Sequence, residues 1–97
     1  MTIVTMDEIF RHLRIEQGVE DEYLESLGEV AEEMVLNYLN RTEEELRETF
    51  GGIPLGVKHA CLLVVGSLYK NRESEVVQSS AMNKMFAPLV VKYRKLV

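Results

Sequence analysis

Tryptophan is absent from the chain, and cysteine occurs once, at Cys61. A lone cysteine closes no internal disulfide, so nothing calls for an oxidising compartment. Prolines number two and glycines six, too few for a loop-dominated or collagen-like chain. Long apolar runs are missing as well. The longest strictly apolar stretch is 60–65, far short of the ~20 residues of a membrane-spanning helix. The opening residues MTIVTM have neither the basic region nor the apolar segment of a secretory signal. These shortages lead to the expectation of a soluble, intracellular protein with no membrane contact. Basic charge is also scarce: 11 basic residues face 16 acidic ones, for a net charge of −5. A grip on nucleic acid through a basic face is therefore not expected. A protein that surrounds DNA without holding it remains compatible.

What is present is 97 residues, 46% hydrophobic and 28% charged, the balance of one ordinary globular domain spanning 1–97. A domain of this length buries somewhat over ~60% of its unfolded surface. It has little stability to spare, and association with copies of itself or with a partner would help it.

The periodicity is helical, and the reading is all-α, with four to five helices. Thr5-Met6-Asp7-Glu8 is a capping box, followed by a short helix with Ile9, Phe10 and Leu13 on one side, closing near Arg14-Ile15. Glu20-Asp21-Glu22 opens a second helix, where the macrodipole favours negative charge. Its apolar positions step by three and four through Leu24, Leu27, Ala31, Met34 and Tyr38, widened by Tyr23, Val30, Val35 and Leu39. Glu25, Glu29, Glu32 and Glu33 are assigned to a solvated outer face. Thr42-Glu43-Glu44-Glu45 is a second capping box, and Gly51-Gly52 stops the short helix that it starts.

Pro54 suits the first position of the next helix. Val57, Ala60, Cys61, Val64, Val65 and Leu68 form its main stripe, while Leu62, Leu63 and Tyr69 fill other sides. A helix apolar nearly all round is a central one, here placed at about 54–72. Segment 73–81 is polar around Val76-Val77 and reads as a loop long enough to suggest a job. A last helix within 82–96 turns Met85 or Phe86, Leu89, Val90 and Tyr93 inward. Pro88 leaves two readings open: the helix proper starts near it, or Pro88 kinks a longer one. Segment 2–4 is the one weak strand candidate.

No catalytic constellation emerges, and no cofactor is expected. His59 and Cys61 are two apart on a helix, hence on the order of 200° apart around it, and cannot share a metal. Cys61 reads as a small core residue and His59 as a polar edge of the buried helix. A metal site from Glu8, His12 and Glu16 is imaginable, but a solvated helix pair is far commoner. Gly51-Gly52 lacks the strand, spacing and lysine of a phosphate loop. The bland conclusion is a protein whose work is contact with other proteins.

One phrase is more specific. Leu62-Leu63-Val64-Val65-Gly66-Ser67-Leu68-Tyr69-Lys70-Asn71-Arg72-Glu73 resembles a pattern in the small head–tail connector proteins of tailed bacteriophages. There, an apolar helix ends in an aromatic residue, then Asn-Arg-Glu, then a loop. His12-Leu13-Arg14-Ile15, Asp21-Glu22-Tyr23-Leu24, Ala31-Glu32-Glu33 with Asn37-Tyr38-Leu39, and Leu89-Val90-Val91-Lys92-Tyr93-Arg94 follow the family's order. The similarity covers nearly the whole chain. It implies an all-α structural protein of a phage or prophage virion with no catalysis. It also implies a dodecamer-like homo-oligomeric ring, under the portal protein, that extends the DNA channel and docks tail or stopper proteins. DNA would pass without specific binding, and the acidic face of the second helix is a candidate lining. On this reading Leu62, Leu63, Tyr69, Arg72, Glu73, Val76, Val77 and Arg94 are the candidate subunit contacts. The 73–81 loop is a candidate for ordering on contact. The competing reading from the residues alone is a small helical regulatory or antitoxin-like binding module.

Overall fold

In the computed structural model, which describes residues 1–70 and 79–95, five α-helices follow one another. They are α1 (Met6–Leu13), α2 (Asp21–Leu39), α3 (Glu43–Phe50), α4 (Leu55–Lys70) and α5 (Ser79–Val90), and a 3-10 turn at Val91–Tyr93 continues the last. Both capping boxes form. The Thr5 hydroxyl accepts from the Glu8 amide at 3.2 Å while the Glu8 carboxylate accepts from the Thr5 amide at 2.9 Å. Thr42 and Glu45 repeat the exchange, the hydroxyl accepting at 3.1 Å and the carboxylate at 3.3 Å. Each box satisfies two N–H groups that a helix start leaves unpaired. The helices end as abruptly as they begin. Arg14, Asn40 and Gly51 turn left-handed at φ 58°, 55° and 76° to close α1, α2 and α3. Asn and Gly adopt that conformation readily. At Arg14 the amide donates back to the Phe10 carbonyl, which helps to hold it.

α4 is the central element and packs against α1, α2 and α5. Its expected stripe is the one that is buried: Val57, Ala60, Cys61, Val64, Val65 and Leu68. α2 answers with Leu24, Leu27, Ala31, Val35 and Leu39, and α5 with Phe86 and Val90. α4 runs antiparallel to α2, since Tyr69 at its end meets Glu20 at the start of α2. It also runs antiparallel to α5. At Gly56, in the first turn of α4, a β-carbon would sit 2.9 Å from the Leu89 carbonyl oxygen. Only glycine allows the two backbones that close. The molecule measures 40 × 27 × 17 Å, and its thinnest dimension holds about two layers of helices.

Several expectations are corrected. Glu32 does not belong to the solvated face; only 8% of it is exposed. Its carboxylate accepts from the amides of Ile3 and Val4, both at 2.9 Å, and of Thr2 at 3.3 Å. Segment 2–4 is accordingly no strand: its donors are used by a side chain. Tyr23 and Val30 were expected to widen the buried stripe of α2, yet they are 38% and 44% exposed. Leu89 was expected inward with Phe86 and Val90 but is 36% exposed, because α5 offers α4 a narrower strip than the spacing suggested. Residues 79–81, expected as loop, already belong to α5. The rest of the expected loop lies outside the described residues. Pro88 lies inside α5, two residues before its end, where the N–H it lacks removes one bond to the previous turn. Pro54 precedes α4 rather than opening it, and its carbonyl accepts from Lys58 at 3.2 Å.

Candidate interaction surface

α4 buries one side and is flanked on the other by α1 and α5. Glu8 of α1 reaches Lys58 at 3.0 Å, and the ring of His12 lies against Gly66. Between these flanks α4 stays uncovered. Leu55, Gly56, Lys58, His59 and Leu62 of α4, with Leu89 of α5, line a shallow, mainly apolar cleft of about 470 Å³. Leu55 is 82% exposed. Met85 is half-exposed one turn before Leu89 on the same side of α5. Such a cluster of large apolar side chains in water marks a contact surface rather than a solvated face.

Of the residues singled out from sequence, Leu62 lies in this cleft. Leu63 is half-buried beside it on α4. Tyr69 sits at the opposite end of α4. Its hydroxyl donates to Glu20 at 2.7 Å, and its ring lies 6.4 Å from that of Tyr23. Arg94 stacks its guanidinium 4.7 Å above the Tyr38 ring near the end of α2. These four do not form one patch. Arg72, Glu73, Val76 and Val77 fall outside the described residues. The residues that sequence reasoning missed are Leu55 and Leu89; their exposure is set by which elements cover the start of α4 and how α5 docks, neither of which helical spacing encodes.

A second cleft, polar and about 260 Å³, lies where α2 turns into α3, among Asn37, Asn40, Arg41 and Thr42. Arg41 is already engaged there. Its Nε donates to the Tyr93 carbonyl at 2.9 Å, and its guanidinium lies 5.4 Å from the Phe50 ring.

The titratable groups are set for structure. Burial, helped by the nearby Glu32 charge, pushes the Cys61 thiol up to about 12, which leaves no thiolate to react. Burial lowers the pKa of His12, and the charge of His59 lowers it further. Burial acts to raise Glu8, but the Lys58 and Thr5 hydrogen bonds outweigh it and hold the carboxyl below its ordinary value. Among the described residues no three His, Cys, Asp or Glu side chains gather closely enough to hold a metal. No helix there is long and apolar enough to cross a membrane.

Charge is sorted along the chain. Residues 1–50 carry 14 acidic and 4 basic side chains; residues 51–97 carry 2 and 7. α2 contains six acids and no base, whereas 79–93 contains two lysines and no acid. The acidic helix and the lysine-bearing helix pack chiefly on α4, with limited contact to each other.

No curated protein and no solved structure matches the chain. A family model described as phage gp6-like head-tail connector protein matches residues 3–94, which takes in every described helix. With its all-helical fold, its uncovered apolar face and a match along nearly its whole length, the chain belongs to the phage gp6-like head-tail connector family.

Proposed function

We propose that this connector works as a head-completion adaptor. Copies of the chain, each one domain, assemble into a ring beneath the portal at one capsid vertex. The ring continues the DNA channel and offers tail or stopper proteins a surface to dock on. Assembly takes place in the host cytoplasm, and the finished ring stays in the virion at the head–tail junction. The role is structural, with no turnover of substrate.

The observation that carries the reading is the open face of the central helix. Leu55 and Leu62 of α4, with Leu89 of α5, are large apolar side chains that the monomer leaves partly or largely in water. Burying such side chains yields roughly 1.5–3 kcal/mol each, so a neighbouring protein surface is favoured over solvent. The net charge of −5 suits a conduit, because a wall without a basic face gives DNA no fixed place to stop.

The experiment is assembly with and without a portal ring, followed by mass photometry over a concentration series and by electron microscopy. The expected product is an annulus on the portal, with little or no closed two-subunit species. A regulatory binding module would instead stop at a dimer. A strict monomer that ignores the portal at concentrations on the order of hundreds of micromolar would refute the proposal.

A further inference from the structure

We propose that α1 is a proton-operated cover on the central helix. At neutral pH it is held on α4; as pH falls it lifts away and bares the strip of α4 beside the open cleft. The device belongs to a single copy and works whether or not copies assemble.

The seam between the two helices gathers titratable side chains. Glu8 of α1 meets Lys58 of α4 at 3.0 Å. One turn further along α1, Nε2 of His12 comes within 3.2 Å of the place that a β-carbon would take at Gly66. His59 follows Lys58 on α4, and its charge reaches His12. Lys58 and His59 also line the apolar cleft, so the strip under α1 and the cleft adjoin on α4. The seam is short of acids. α4 contains no Asp or Glu and presents His12 with Lys58 and His59. On α1, Glu8 is taken by Lys58, while Asp7 and Arg11 are exposed. Arg14 and Glu16 follow the helix end and are exposed as well. α2 meets α1 through Gly28, whose β-carbon position lies 3.1 Å from Cδ1 of Ile9. Glu25 and Glu29 flank that glycine at the surface, and Glu29 lies 3.9 Å from the Met1 amine.

Protons act on this seam in one direction. An imidazole in water takes up a proton at about pH 6.5. Burial and the charge of His59 hold His12 below that value while α1 is seated, so the lifted state binds the proton more readily. Glu8 answers in the same sense. Burial acts to raise its pKa, but hydrogen bonds from Lys58 and Thr5 outweigh burial, so the seated state again favours the form without the proton. Seating is therefore complete above about pH 6.5, weakens below it, and weakens again below about 4.5.

α1 is attached lightly enough for these protons to matter. It has eight residues, of which Ile9 is the buried one. A helix so short does not persist alone in water, so a lifted α1 also melts. Its flanks stay in place. Glu32 of α2 keeps hold of 2–4, and the motion is taken up at Thr5 and Arg14, the extended and left-handed residues that bound the helix.

Native-state hydrogen exchange, read as protection factors at pH 7.5 and pH 5.5, tests the device. Protection at the amides of 10–13 is expected to fall about three- to tenfold over that interval, tenfold being the most that one imidazole supplies. Protection in the buried stretches of α2 and α4 is expected to hold. His12→Gln, at an exposed position, should remove the fall, and Glu8→Gln should lower α1 protection already at pH 7.5; circular dichroism confirms that both variants fold. Equal protection in α1 at the two pH values overturns the proposal. So does a fall shared equally by α2 and α4, which is global unfolding, and so does a fall that persists in His12→Gln.

Discussion

Replacing Glu32 by alanine should be among the most damaging single changes in α2, although its neighbour Glu33 should tolerate the same change. Glu32 holds three backbone amides of the segment that precedes α1. Two of those bonds, to Ile3 and Val4, are buried and 2.9 Å long. Hydrogen bonds to a charged partner contribute about 1.5–3 kcal/mol each, and a buried donor left unsatisfied costs about 1–3 kcal/mol. Segment 2–4 can partly turn its amides to water, at the expense of withdrawing Ile3 and Val4 from the core. A net loss of about 3–5 kcal/mol is therefore expected for Glu32→Ala, a large share of the 5–15 kcal/mol typical of a small domain. Glu32→Gln should lose less, about 1–2 kcal/mol. One amide oxygen can still accept from Ile3 and Val4, which share Oε2, while the amide nitrogen would face the Thr2 N–H. Glu33→Ala, on the exposed side, should stay within about 0.5 kcal/mol of wild type. Urea titration followed by circular dichroism gives the three values, and hydrogen exchange at the Ile3 and Val4 amides reports on the clasp itself. Indistinguishable midpoints for Glu32→Ala and Glu33→Ala, with unchanged protection at Ile3 and Val4, would refute the reasoning.

Glycine positions offer a contrast. Gly56→Ala would place its β-carbon against the rigid Leu89 carbonyl and should cost about 1–3 kcal/mol. Gly28→Ala meets first the flexible end of Met1 and regains about 1 kcal/mol of helix propensity, so its thermal midpoint should fall less; the reverse order would contradict the packing described. His12 takes up a proton less readily in the folded state. Its contribution to stability is thus complete above about pH 6.5 and lost as pH falls from there toward its lowered folded value. Glu8, whose folded pKa is depressed, adds a second loss that begins below its unfolded value near 4.5. A wild-type stability profile flat between pH 7 and 5, or one in which His12→Gln leaves the upper step in place, would count against this account. Cys61 should resist alkylation at pH 8 until the protein is unfolded, since burial holds the thiol protonated; rapid labelling of native protein would show that α4 is not central.

Much of the fold was legible because its signals are local. A capping box is written in four residues, and both formed where Thr5 and Thr42 announced them. The six-residue stripe of α4 followed from spacing alone, since a helix with one buried side repeats every three or four positions. Glu32 was not legible for the same reason. By spacing it falls beside Glu25 at the edge of the acidic arc, and nothing local reveals that another segment lies over that edge. The apolar face was half legible. Leu62 could be named as surplus to the core, but the exposure of Leu89 depends on the angle at which α5 docks against Gly56, and that of Leu55 on no element covering the start of α4. Tyr69 and Arg94 meet Glu20 and the Tyr38 ring, partners 49 and 56 positions away that no local spacing shows.

Segments outside the helices usually fray first, yet 2–4 and the residues around Lys95 are both fastened to one helix. Glu32 clasps the amides of 2–4 near the middle of α2. At its far end, the Lys95 amide donates to the otherwise unpaired Leu39 carbonyl at 2.8 Å. A pull on either segment is therefore carried to α2 through these bonds. Under load α2 thus acts as a tie between the two segments, so pulling them apart strains one helix along its length rather than opening the packing around α4.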